Sequence, residues 1–115
     1  WCGSIKDSNP NFKNVDAVIA IELIEHVYPD VEMEFPYQIF EVIAPKIVVI
    51  TTPNCEFNVL FKMEEGKFRH FDHKFEHTRE QFTDYCQNIC TRYPNYYVQF
   101  EGNCNFILCK CLINF

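Results

Sequence analysis

Glycine is nearly absent from this chain, at 3 of 115 residues, and proline is sparse at 6. With 23% of residues charged, that excludes a low-complexity or disordered chain. No apolar run approaches the roughly 20 residues that a membrane-spanning helix needs, so no membrane partner is expected. The opening stretch, WCGSIKDSNPNF, has no basic segment leading into an apolar one, so no signal peptide is visible. An initiator methionine is also missing, and the chain is expected to be a piece of something longer. There is no Gly-rich phosphate loop, no HExxH motif, and no Ser-His-Asp or Cys-His nucleophile pattern. A basic excess is lacking too: the net charge of −6 argues against a general nucleic-acid binder.

What is present is an apolar fraction of 48% with 12 Phe, enough for one compact domain and too little for two. Half of the basic residues (Lys62, Lys67, Arg69, Lys74, Arg79) and three of the four His (His70, His73, His77) fall between positions 62 and 79. Seven cysteines are an odd number at no standard zinc spacing, which favours reduced thiols in an intracellular protein. A zinc site from Cys104, Cys109 and Cys111 is the sharper alternative.

The hydrophobic pattern alternates strand and helix. Val15 to Ile21 reads as a strand buried on both faces. Glu22 to His26 is a short helical turn or a loop. A helix is expected from about Val31 to Ile43, with Phe35, Ile39, Phe40 and Ile43 on one face, ended by Pro45. Lys46 to Thr51 is a second buried strand. Residues 55–77 have no clear period, and loops this long in a compact domain are usually functional. Thr78 and Gln81 form a capping-box signature for a helix to about Arg92, burying Phe82, Tyr85, Cys86 and Ile89. Tyr96 to Glu101 and Phe106 to Ile113 read as strands joined by a hairpin at Gly102-Asn103. The fold class is α/β: a right-handed βαβ crossover followed by a hairpin that makes the sheet mixed.

Function collects at the carboxyl ends of strands in such sheets, and ELIEH follows the first strand directly. In a helical turn, Glu22, Glu25 and His26 share a face. Two carboxylates so close repel unless a cation lies between them. A histidine from FRHFDHKFEHTREQF could complete such a site. Two carboxylate oxygens and two imidazole nitrogens suit Mn²⁺ or Co²⁺, and tolerably Mg²⁺.

The segments IELIEHVYPD, VITTPNCEFNVLF and FRHFDHKFEHTREQF, in that order, resemble the Hen family of small-RNA 3′-terminal 2′-O-methyltransferases. The resemblance runs from about Gly3 to Phe100. It implies a class I, Rossmann-like methyltransferase fold, of which residues 1–115 would be a single partial domain. This would be the C-terminal half, with strands 4, 5, 7 and 6 of the order 3-2-1-4-5-7-6. It implies S-adenosylmethionine as methyl donor, Mg²⁺ or Mn²⁺, and the 3′ end of a small single-stranded RNA of the piRNA or siRNA class. Methylation would protect that RNA from tailing and trimming, in the cytoplasm, with an Argonaute or Piwi protein as partner. Matched by motif, the metal ligands are Glu22, Glu25, His26 and His73. His26 is also a possible proton acceptor, ranked below its ligand role. Ser4 matches a cofactor position, and Asn54 and Arg69 match positions close to the substrate. His70 and His77 fall outside the ligand positions.

Three departures from the family pattern stand out. The Gly-rich cofactor segment would lie before Trp1. His77 stands where the family usually has Trp, and the last hairpin is short. An unpaired apolar edge at residues 15–21 is expected, with poor cofactor binding and aggregation of the isolated chain. The alternative reading is a truncated, catalytically inactive interaction module. A metal-dependent hydrolase would keep the same four ligands, without support from the resemblance.

Overall fold

The computed structural model describes residues 2–7, 9–64 and 66–102, and the backbone of 106–113. Four strands, β1 (Ala17–Ile21), β2 (Ile47–Pro53), β3 (Tyr96–Gly102) and β4 (Phe106–Ile113), form one sheet in the order β1-β2-β4-β3. β1 and β2 are parallel, with Ile19 opposite Val49, and β4 runs antiparallel to both β2 and β3. This is the 4-5-7-6 order expected from the resemblance. The parallel pair requires the crossover through residues 22–46, whereas the hairpin needs only a short link.

Helix α1 (Pro29–Pro36) opens with Pro29 in its first turn, where a missing N–H is harmless. The expected single helix over 31–43 does not form. Pro36 cannot donate to the turn behind it, and from Tyr37 to Ile43 the chain winds as a wider π-helix. The Ala44 N–H reaches back to the Ile39 carbonyl at 2.8 Å, and Ala44 ends the segment in the left-handed region. Phe35, Ile39 and Phe40 are buried as expected, with Ile43 half-buried. Helix α2 (Arg79–Arg92) carries the expected capping box in full: Thr78 accepts from the Gln81 N–H, and Gln81 accepts from the Thr78 N–H. It buries Phe82, Cys86 and Ile89, while Tyr85 is half-buried.

Ala20, Val48 and Ile50 meet these helices in one core with Phe35, Ile39 and Phe82. The strand over 15–21 is not buried on both faces. Ala20 is buried, but Ile19 and Ile21 are 64% and 63% exposed. Among the described residues β1 pairs only with β2, leaving the apolar edge that the sequence implied. β3 ends at Gly102; Asn103 and Cys104 lie outside the described residues, as do the side chains of Cys109 and Cys111. Cys2, Cys55 and Cys86 are free thiols. Among the described residues, no helix is long and apolar enough to cross a membrane.

Candidate metal centre and active site

The site lies where β1 and β2 end. Glu22, the residue after β1, sits at φ +47°, outside any helix. Thr51 holds it there. The Thr51 hydroxyl accepts the Glu22 N–H at 3.0 Å and donates to Glu22 Oε1 at 2.9 Å. The shared helical face expected for Glu22, Glu25 and His26 is therefore replaced by another geometry. Glu22 is left-handed, and Ile24–His26 form a 3₁₀ turn. Strained backbone of this kind persists only where neighbours over-determine it.

Glu25 is fully buried. Its Oε2 accepts from the Thr52 hydroxyl at 3.2 Å, while Oε1 has no hydrogen-bond partner. Burial pushes its pKa up, and the charge of Glu22 pushes the same way, against its own backbone N–H, Thr52 and His73. The adjacent TT of β2 thus orients one carboxylate each.

The 62–77 loop brings the imidazoles. Its backbone docks on the turn through the Lys74 N–H, which reaches the Glu25 carbonyl at 2.7 Å. One ring nitrogen from each of His26, His70 and His73 lies within 4.8 Å of the other two. His26 Nδ1 faces Asp72 Oδ2 at 3.2 Å, and His73 Nδ1 faces Glu76 Oε1 at 2.5 Å. An ionised carboxylate only accepts, so each Nδ1 carries a proton, and in the neutral imidazole the lone pair then lies on Nε2. That is the tautomer a metal requires.

Behind His73 lies a polar network. Glu76 accepts from Asn58 Nδ2 and the Arg69 N–H, both at 2.6 Å, as well as from His73. Burial raises the Glu76 pKa, but hydrogen bonds from Asn58, His73 and the Arg69 N–H outweigh it, so the net direction is down. The Arg69 guanidinium donates to Asn58 Oδ1 and the Asn54 carbonyl, both at 2.5 Å, and lies over the Phe61 ring. Asn54 is fully buried, its Oδ1 accepting the Glu56 N–H. His77 bridges to Asn54 by backbone pairing and is wedged among Phe75, Phe82 and Tyr85.

On the other side of His26 lies a cavity of about 510 Å³, lined by Ser4, Ile5, Leu23, His26 and Val27 among others. Its volume is in the range of small-molecule sites.

No protein-family model matches the chain. The Drosophila melanogaster small RNA 2′-O-methyltransferase is 47% identical, over 87% of this chain and 27% of that protein. The Arabidopsis thaliana enzyme of the same name is 36% identical, over 87% of this chain and 12% of its own length. The crystal structure of the small RNA methyltransferase HEN1 superposes with a TM-score of 0.86 and 33% identity, over 97% of this chain and 16% of that one. The chain belongs to the small RNA 2′-O-methyltransferase family. The methyltransferase domain of a bacterial Hen1 matches with a TM-score of 0.80 and 25% identity, over 96% of this chain and 60% of that one. The fold is accordingly the C-terminal half of a class I methyltransferase sheet. The chain spans about a quarter of the length of curated relatives such as the fly and chicken proteins.

Against the family expectation, the structure brings His26 and His73 together and adds His70, which the motif match placed outside the ligand positions. A helical wheel could not have found His70, because loop folding alone sets its place. Glu22 and Glu25 lie outside the three-imidazole set, each held by its threonine. The donor set nevertheless fits a divalent cation. A buried carboxylate oxygen without a partner, a neighbouring carboxylate raising its pKa, and two correctly tautomerised imidazoles form a site short of positive charge. Asn54 and Arg69, expected near the substrate, make their described hydrogen bonds within the protein and support the loop that carries His73. Ser4 is among the residues that line the cavity.

Proposed function

We propose that the protein carrying this chain transfers a methyl group from S-adenosylmethionine to the 2′-hydroxyl of the 3′-terminal nucleotide of a small RNA. The observation that carries this reading is the pairing of a fully buried, half-satisfied Glu25 with two carboxylate-anchored imidazoles, on a chain with 47% identity to a named member of the family. Glu22, Glu25, His26 and His73 would hold a divalent cation, Mn²⁺ or Mg²⁺. That ion supplies Lewis acidity, lowering the pKa of the terminal 2′-hydroxyl and favouring an end with a free vicinal diol. Asp72 and Glu76 fix the tautomers of His26 and His73, and Thr51 and Thr52 aim the carboxylates. The Asp72 contact leaves His26 one lone pair, on Nε2, so ligand and general-base roles compete for a single nitrogen and the ligand role takes precedence. Ser4 and the apolar wall of Leu23 and Val27 would hold the adenosine end of the cofactor. The transfer would break the sulfonium S–CH₃ bond and form O–CH₃, with S-adenosylhomocysteine as leaving group and the hydroxyl proton passing to solvent.

The net charge of −6 gives this chain no basic excess, so RNA would be held by the terminal site, by segments outside this chain, or by a partner that presents the RNA end. An Argonaute or Piwi protein, in the cytoplasm, is the partner that the family resemblance implies. The protein's role would be to guard small RNAs against tailing and trimming. The test is transfer of labelled methyl to a small single-stranded RNA by the protein carrying this chain, with Mn²⁺ or chelator. Labelling that needs both the metal and a 2′-hydroxyl is expected. Labelling of a 2′-deoxy end would refute the site of methylation. A folded protein that binds Mn²⁺ but transfers nothing would make it an inactive interaction module.

A further inference from the structure

The three imidazoles at the site differ in what their Nδ1 atoms face. Those of His26 and His73 face carboxylates and must carry a proton. That of His70 accepts the Asp72 backbone N–H at 3.2 Å, so it must present a lone pair. A neutral imidazole with a lone pair on Nδ1 carries its hydrogen on Nε2. His70 is therefore the opposite tautomer. It offers a hydrogen-bond donor where its neighbours offer metal ligands.

His70 is exposed, and the Asp72 N–H on its Nδ1 orients the ring, with the exposed Phe71 ring beside it at 4.3 Å between centroids. Its ring nitrogen lies within 4.8 Å of those of His26 and His73. The His70 ring therefore borders the place where an oxygen on the cation would lie. Resting on the function proposed above, we infer that His70 is not a third metal imidazole but a substrate-positioning donor to the 3′-oxygen of the terminal ribose. The 2′-oxygen is the wrong target, because a donor there would withdraw the electron density that attacks the methyl group. The 3′-oxygen has no bond to form, so a donor on it orients the ribose without blunting the nucleophile.

The experiment compares the parent protein with His70→Ala, His70→Gln and His73→Ala. Mn²⁺ affinity is read by electron paramagnetic resonance, and steady-state methylation is read on RNAs ending in a ribose or a 3′-deoxyribose. His70→Ala should leave Mn²⁺ affinity unchanged within about 2-fold, whereas His73→Ala should lower it by about 10-fold or more. On ribose-ended RNA, His70→Ala should raise KM by about 5-fold with kcat nearly kept, as expected for one lost hydrogen bond. His70→Gln, which keeps an N–H donor, should recover part of that loss. On 3′-deoxy RNA the His70→Ala change should have no effect, because the partner oxygen is already gone. Loss of Mn²⁺ affinity in His70→Ala would make His70 a ligand and overturn the assignment. An equal KM effect on both RNAs, or none on either, would overturn it as well. If the parent itself binds no Mn²⁺, the cation site underlying the functional proposal fails instead, which is a separate reading.

Discussion

Replacing Glu25 with glutamine separates what this carboxylate does for the site from what it costs the fold. Glu25 is fully buried, with one oxygen on Thr52 and the other without a partner. Its folded pKa is raised, by burial first and by Glu22 after it. A raised carboxylate contributes its full stability below the ordinary carboxylate pKa, and that stability is lost as pH rises through the folded value. At neutral pH and without metal, the parent therefore carries a cost that glutamine lacks. A buried polar atom left unpaired costs about 1–3 kcal/mol, although the glutamine amide must itself find partners. In chelator at pH 7.5, Glu25→Gln should be at least as stable as the parent, by up to about 2 kcal/mol after that offset. That is up to about 8 °C in Tm at roughly 4 °C per kcal/mol for a domain of this size. With Mn²⁺ at about 100 times its Kd, the parent should gain about 2.7 kcal/mol, or roughly 11 °C. The variant should gain almost nothing. Thermal melts followed by circular dichroism, with and without Mn²⁺, read both effects. A variant that melts several degrees below the parent in chelator, yet gains as much from Mn²⁺, would refute the reasoning and make Glu25 a purely structural residue.

Glu76→Gln should lower Mn²⁺ affinity by about 10- to 100-fold in calorimetric titrations, because it removes the carboxylate that sets the His73 tautomer. Burial holds His77 below its ordinary pKa of 6.5. It therefore stabilises fully above that value, and the contribution is lost as pH falls through the depressed one. His77→Phe should flatten the acid limb of a denaturation series below pH 6.5; an unchanged limb would assign that limb to other groups. Thr78→Ala breaks the capping box and should cost about 1 kcal/mol, read as a lower urea midpoint with the Mn²⁺ affinity kept. Ile19→Thr with Ile21→Thr should raise the solubility of the isolated 115-residue chain, since both side chains are largely exposed on the open sheet edge. Sedimentation that shows no change would acquit that edge.

The amino-acid sequence by itself determined the four strands, the second helix and their order. Strong β-branched runs within 15–21 and 46–51, the Thr78-Gln81 capping box and the closing pair of strands are local signals. The parallel crossover follows from chain connectivity. Family-like motifs also marked Glu22, Glu25, His26 and His73. Local pattern failed where the outcome depends on a single missing hydrogen bond or on a distant partner. Pro36 turned an expected α-helix into a π-helix by deleting one donor. Thr51, 29 residues away in sequence, drew Glu22 into the left-handed region and ended the helical face that spacing implied. Only the tertiary structure decided which imidazoles carry their proton on which nitrogen. That choice depends on Asp72, Glu76 and one backbone N–H meeting the rings in space, and a proton's position on a histidine is set by its neighbours rather than by its place in the chain.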